Sequence, residues 1–224
     1  MAQAILVVGF TGTGKTTSLR NLDNDKTIII QCEKKELPWR GSSLDYPMNE
    51  KALYRNNWDA VKKTLLKINA GKRITTIVID DVQYLMTNEL MGRAQETGFK
   101  KFTEVALHFK QLRDLVRELR DDLMVVYLSH SEFDDDGREL MKTSGKLVRK
   151  ELDPEGSFTV VLFTFVSENG YKFRTNNTGD SCAKTPMGMF SEKLIDNDIN
   201  QIIPIVQGYY KNKPKKKEEK VDGK

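Results

Sequence analysis

The chain has 224 residues, 38% of them hydrophobic, which is enough to bury one sizeable core as a single domain carrying a tail. Lysine and arginine total 36 against 32 acids, but residues 211–224 alone hold seven lysines and three acids, so residues 1–210 balance at 29 against 29. A uniformly basic nucleic-acid-binding body is thereby excluded, while a local basic patch is not.

The apolar runs AILVV, TIII, ITTIVI, LMVVYL and FTVVLFTFV all fall short of the roughly 18 residues that cross a bilayer, so no membrane association is expected. The start, MAQAILVVGF, has no basic stretch ahead of its apolar run and does not read as a signal peptide. Cys32 and Cys182 lack ligand-like spacing and read as reduced thiols, which with the missing leader points to the cytoplasm.

In chain order, AILVV (4–8) reads as a buried strand that runs into a glycine-rich turn and a helix from about Lys15 to Leu22. KTIII (26–30) is a second strand, followed by a polar loop with Pro38 and Gly41. Leu53, Trp58, Val61, Leu65 and Ile68 recur at helical spacing over 50–70. ITTIVI (74–79) is a strand ending in Asp80 and Asp81; residues 83–122 are helical in pattern, with Gly98 as a break. LMVVYLS (123–129) is another strand, and a polar loop runs from it to about Gly156. FTVVLFTFV (158–166) and YKFRT (171–175) flank Glu168-Asn169-Gly170, and an Asn-Gly pair between strand-like runs signals a hairpin. Asp198 is placed to cap a short last helix, INQIIPIV, which Pro204 should limit. The lysine-rich end, residues 211–224, has too little apolar surface to fold and is expected to be disordered. Strands alternating with helices predict an α/β domain over 1–210, a mostly parallel central sheet flanked by helices and extended by an antiparallel C-terminal hairpin.

Gly9-Phe10-Thr11-Gly12-Thr13-Gly14-Lys15-Thr16 fits G-x-x-x-x-G-K-[ST] at every fixed position and has the required context, a strand before and a helical stretch after. In such a P-loop the glycines let backbone N–H groups converge on phosphate oxygens. Gly9, Thr11, Gly12, Thr13, Gly14, Lys15, Thr16 and Thr17 are therefore the expected ATP-binding residues, with Lys15 on the β- and γ-phosphates and Thr16 on Mg²⁺. Asp80, ending an apolar strand, is the expected second magnesium group. Two acids compete for the water-activating role: Asp81, beside it, and Glu33, just past the second strand; adjacent strand residues point to opposite faces, so Asp81 could equally face solvent. The plainer reading of Glu33 is one charge in the solvated run EKKE. His130, and Ser129 before it, end a core strand where a parallel sheet opens on its ligand crevice, a place to sense a γ-phosphate. His108 reads as packing or surface. Lys172 and Arg174 lie two apart on a strand and share a face.

Several of these segments together resemble a known group. GFTGTGKTT, IVIDDVQYL, VVYLSHSE, KTSGK and above all AKTPMGMF look like the phage ATPases of the Sak-four type, short relatives of the RecA and RadA recombinases associated with single-strand annealing, and the likeness covers about residues 4–210. The resemblance implies a RecA-like core that assembles as a ring or filament with ATP between protomers, and a host-cell cytoplasmic setting. It favours Glu33 as the base, although the AAA+ pattern would assign that work to Asp81. It suggests that Lys172 and Arg174 act as a K-x-R pair inserted into a neighbour's ATP site. It equates loop 131–157 with a mobile DNA-contacting loop, in which Lys142, Lys146, Arg149 and Lys150 would hold phosphates against the opposing charge of Asp134, Asp135 and Asp136. Single-stranded DNA, and with it a single-stranded-DNA-binding protein, are the implied partners.

Three other readings stay open on the sequence. An AAA+-like helicase loader or remodelling ATPase would need a helical lid after the core strands. A small-molecule kinase would need an arginine-bearing lid and an acceptor pocket. A nucleotide-gated DNA-binding scaffold would hydrolyse ATP very slowly.

Overall fold

The structure is a computed structural model that describes residues 1–145 and 147–211. In chain order the strands are β1 Gln3–Gly9, β2 Thr27–Gln31, β3 Ala52–Tyr54, β4 Thr76–Asp80, β5 Met124–Phe133, β6 Glu139–Met141, β7 Val160–Ser167, β8 Gly170–Arg174 and β9 Leu194–Asp196. The α-helices are α1 Ser42–Asp45, α2 Trp58–Ala70, α3 Gln83–Gly92, α4 Lys100–Glu118 and α5 Ile199–Lys211.

One sheet runs β3-β2-β4-β5-β1-β7-β8-β9 and is parallel from β3 through β7, with β8 and β9 added antiparallel. The near-continuous Ile, Val and Leu content of β1, β2, β4 and β5 suits strands covered on both faces. Trp58, Val61 and Leu65 of α2, Leu85 and Met86 of α3 and Val105, Phe109, Leu112 and Val116 of α4 cover one face. Leu19, Leu22 and Tyr46, with Ile199, Ile202 and Val206 of α5, cover the other. This is the α/β arrangement expected from the sequence, a mostly parallel sheet flanked by helices with antiparallel C-terminal strands. Register brings the strand ends together: Gly9 lies beside His130, and Gln31 beside Asp80. Strand β5 separates the glycine-rich turn of β1 from the acids of β4.

Several local expectations are corrected. Leu53 lies in β3, an edge strand on β2, and helix α2 begins only at Trp58, where Asn57 caps it by accepting from the Ala60 amide at 3.0 Å. The helix expected from Lys15 to Leu22 is a single 3-10 turn, Thr16–Leu19. Ser18 Oγ donates to the Lys15 carbonyl at 2.6 Å, the local competition that weakens serine as a helix former, and Arg20 and Asn21 turn away to the Asn197 carbonyl and the Asp198 carboxylate. Strand β5 continues past Ser129 to Phe133 and pairs with β6, so the start of the expected 131–157 loop is a hairpin. The helix starting after Asp198 is longer than expected and carries Pro204 inside it; Asp198 accepts from the Asn200 amide at 3.0 Å, and burial of Ile199, Ile202 and Val206 offsets the missing proline donor. Gly98, at φ 82°, does separate α3 from α4. Lys211 closes α5, and the rest of the expected disordered tail, 212–224, lies outside the described residues.

Gly9 is required by close packing between strands. A Cβ there would lie 1.7 Å from Thr164 Oγ1 of β7 and 2.9 Å from Thr13 Oγ1. Gly9→Ala is therefore expected to destabilise the fold by about 1–3 kcal/mol, the range for overpacking a close contact. Adding Thr164→Ala should recover part of the loss; urea unfolding of the two variants measures both.

Candidate functional site

The glycine-rich turn is shaped by left-handed backbone at Gly12 (φ 80°) and Gly14 (φ 92°), a conformation that residues with a Cβ rarely adopt. Thr13 pins the turn, donating to the Phe10 carbonyl at 2.6 Å and lying 2.5 Å from Thr164 Oγ1. Thr11 is exposed and Gly12 lies beside it at the mouth, with Thr17 half-buried behind. Lys15 is 6% exposed, and its Nζ donates to the Gly9 and Phe10 carbonyls at 2.7 and 2.8 Å. Burial lowers its pKa to about 8 against the pull of Asp81 and Asp80. A buried ammonium held only by carbonyls is a strong anion receptor, which suits a polyphosphate.

The sequence left Asp81 open between the water-activating role and a solvent-facing position, as strand alternation from Asp80 would give. It does not face solvent. Asp81 has φ 60°, leaves extended geometry, and both carboxylates are buried, at 1% and 2% exposure. Lys35 ion-pairs with Asp81 and stands 3.8 Å from Asp80 Oδ2. Thr16 Oγ1 donates to Asp80 Oδ1 at 3.2 Å, and Asp80 Oδ2 has no hydrogen-bond partner among the described residues. An unpartnered, buried carboxylate oxygen beside the Thr16 hydroxyl is the donor set that fits Mg²⁺ on a nucleotide. When bound there, the ion neutralises charge on the phosphate oxygens; Thr16 and Asp80 would hold it and Lys15 would grip the phosphates beside it.

The two acids titrate in opposite directions. Burial, then the Asp81 charge, raise Asp80 to about 6. Asp81 falls to about 2: burial opposes this, but the His130 hydrogen bond and the Lys35 charge outweigh it. His130 Nε2 lies 3.3 Å from Asp81 Oδ1, and its Nδ1 lies 3.3 Å from Thr11 Oγ1 of the turn. Gln83 Oε1 accepts from both the His130 amide and Ser129 Oγ at 3.2 Å, and Tyr84 packs edge-on against the imidazole. Thr11, His130, Asp81 and Lys35 thus form one polar chain across the crevice.

The other expected residues are placed variously. Glu33 is half-buried, one residue past Cys32, whose amide donates to the Asp80 carbonyl at 3.0 Å; no hydrogen bond or ion pair holds its carboxylate among the described residues. Lys172 and Arg174 share a face of β8 as expected, each with an acid of its own chain, Asp196 at 2.5 Å and Asp180 at 2.9 Å, and Arg174 also lies over Phe165. Lys142 and Lys150 are exposed, whereas Arg149 ion-pairs at 2.6 Å with the buried Glu155 and also donates to the Met141 carbonyl, so it clamps β6 from within. Lys146 lies outside the described residues. His108 packs against Trp58, as expected, and lies 2.9 Å from Glu89.

Sequence reasoning missed Lys35, Gln83 and Tyr171. Gln83 lies three residues past Asp80, at the first position of α3. Tyr171 lies against the turn, its ring atoms 2.9–3.0 Å from where a Gly14 Cβ would stand, and only the fold reveals that contact. A cleft of about 620 Å³ lined by Ala2, Arg113, Tyr127 and Phe158 lies at the opposite end of β1 and takes no part in this site.

The fold and this site define a P-loop nucleoside-triphosphate-binding protein. The profile of the AAA-domain family matches residues 1–186, and the chain belongs to that family. Among solved structures, a DnaB-like replicative helicase, described with its primase interactions, is similar at 12% identity and a TM-score of 0.49, covering 76% of this chain. This chain spans about half (51%) of that helicase chain. No curated protein matches it. No helix among the described residues is long and apolar enough to cross a membrane.

The raised Asp80 predicts a pH effect. A carboxylate with a raised folded pKa contributes stability that is complete below its unfolded value, 3.8, and is lost as pH rises through about 6. Without added nucleotide, Asp80→Asn should flatten that fall and raise the melting temperature at pH 7, while abolishing the Mg²⁺-dependent gain in nucleotide affinity. Calorimetric scans from about pH 4 to about pH 8 check the first claim, and equilibrium titration checks the second.

Proposed function

We propose that the protein hydrolyses ATP and acts on single-stranded DNA, in annealing or recombinase-like work of the Sak-four phage type. The observation that carries the ATP half is the Thr16–Asp80 pair, with its free Asp80 Oδ2, set across from the buried Lys15. Glu33 is the favoured base. Asp81 is held ionised by Lys35 and His130, which suits it to orienting those groups, whereas Glu33 stands two residues past the end of β2 with its carboxylate uncommitted among the described residues.

The DNA half is supported by the β5–β6 hairpin. It hangs from His130 itself, and the Lys142 amide donates to the His130 carbonyl at 2.7 Å. Exposed Lys142, just past β6, and Lys150, in the turn that follows, offer phosphate contacts, and Arg138 partly offsets the acids at the hairpin tip through Asp134 and Asp136. Phe133 of the hairpin is 61% exposed and lies 5.1 Å, ring to ring, from Phe10 of the P-loop, giving bases a surface to stack on. A neighbouring protomer would receive Lys172 and Arg174 once these exchange their own acids for a phosphate, in a ring or filament.

A second reading, an AAA+-like helicase loader or remodelling ATPase in phage replication, is favoured by the AAA-domain match. Against it, β7 is succeeded among the described residues by β8, β9 and α5 rather than by a helical lid.

Steady-state ATPase rates with and without single-stranded DNA test the proposal. Stimulation by DNA is expected, and Glu33→Gln should reduce turnover by at least about 100-fold, the scale of a lost general base, with nucleotide affinity kept. A DNA-independent rate would favour the loader reading, and unchanged turnover in Glu33→Gln would move the base to Asp81. Lys142→Ala and Lys150→Ala should each lower the log–log salt slope of DNA binding by about 1.

A further inference from the structure

Lys35 is a charged side chain at the site to which neither phosphate binding nor hydrolysis gives a task. It stands on the loop after β2, two residues past Glu33, and its own carbonyl accepts from Gln31 Nε2 at 2.8 Å. Its ammonium contacts Asp81 and lies 3.8 Å from Asp80 Oδ2, the oxygen that no hydrogen bond serves. Burial opposes its charge, but Asp80 and Asp81 raise its pKa, so it stays a cation at neutral pH.

Two buried carboxylates in adjacent positions attract a cation from wherever one is available. A divalent ion ligated by Asp80 Oδ2 and the ammonium of Lys35 would both act on that one oxygen, and two cations crowded within a few ångströms repel. We propose that Lys35 competes with the divalent cation for the Asp80–Asp81 pair and is the positioning residue through which cation binding moves the 33–41 loop. The proposal rests on the nucleotide-binding reading above and adds a coupling to it. When the ion arrives, Lys35 gives up both its ion pair with Asp81 and its approach to Asp80, and the loop carrying Glu33 is released with it. The Lys35 side chain is 37% exposed, so it has solvent on one side into which to withdraw. Asp81 keeps its His130 contact throughout, so the polar chain to Thr11 remains anchored at its other end. The base loop would thus reach its working position only with metal and nucleotide in place, which limits idle turnover.

The experiment uses the full chain, Mg²⁺ and a fluorescent mant-ADP probe. Lys35→Met keeps the length of the stem and removes the charge; Lys35→Arg keeps the charge. The Mg²⁺ concentration that half-completes the metal-dependent change in bound mant-ADP should fall by at least about tenfold in Lys35→Met, the scale of removing one like charge at a partly exposed site. It should stay near the wild-type value in Lys35→Arg, while mant-ADP affinity in EDTA is the same for all three. An unchanged Mg²⁺ midpoint in Lys35→Met overturns the proposal and leaves nucleotide binding standing. Wild type that fails to bind mant-ADP at all overturns the nucleotide reading and this proposal with it. A second measurement needs no variant: amide hydrogen exchange across residues 33–41 of the wild type should quicken on adding Mg²⁺ with ADP and not on adding ADP in EDTA. Exchange that is the same under both conditions also overturns it.

Discussion

Two carboxylates are buried side by side at the end of β4, and the arrangement of the crevice stems from their cost. Asp80 and Asp81 are almost entirely removed from water, a position that ionised groups hold only when nearby cations and hydrogen-bond donors compensate them. Lys35 and His130 compensate Asp81, and the Thr16 hydroxyl serves one oxygen of Asp80. The second oxygen of Asp80 is left without a hydrogen-bond partner, and the titration of the pair splits, one acid pushed up and the other down. A site in this condition stores unfavourable charge that a divalent cation relieves. In the proposed site, the stability given up at Asp80 is what would favour metal-bound phosphate.

The sheet order makes the arrangement possible. Placing β5 between β1 and β4 sets His130 between the glycine-rich turn and the acid pair, so that one imidazole touches both Thr11 and Asp81. The same strand carries on into the β5–β6 hairpin, and the Lys142 amide bonds to the His130 carbonyl. His130 is thereby tied to the hairpin by a backbone hydrogen bond, without a loop in between. Membership of the AAA-domain family is consistent with such a crevice, and the family alone does not choose between annealing and loading.

Much of this was legible in the sequence because its signals are local. The glycine-rich motif and the apolar strands before Gly9, Asp80 and His130 fix which residues meet, since parallel strands present their C-terminal ends on one edge. The Asn169-Gly170 turn and the break at Gly98 are equally local, and both lie where they were expected. What was not legible depends on contacts between distant segments or on single backbone angles. Strand alternation left a solvent-facing Asp81 open; one positive φ turns it inward beside Asp80, and no pattern of residue types announces that. Lys35 was one lysine in a charged run until the fold brought it against β4. Arg149 had the look of a phosphate donor, but the buried Glu155, further along the same chain segment, holds it inside. The strand at Leu53 was hidden by apolar spacing that also suits a helix, and pairing with β2 decided it. AKTPMGMF, the most distinctive segment, turns out to tie Lys184 to Val161 of β7 while leaving Met187 exposed.

Thermal unfolding with and without a non-hydrolysable ATP analogue and Mg²⁺ tests the central claim most directly, that Asp80 with Thr16 and Lys15 forms a metal–nucleotide site. The account predicts that the wild-type melting temperature rises by several degrees at saturating ligand, as expected for a ligand that binds only the folded state, with most of the rise lost when Mg²⁺ is omitted. It also predicts no rise for Lys15→Ala. A wild-type melting temperature unmoved by millimolar analogue and Mg²⁺, or an equal rise in Lys15→Ala, would contradict it.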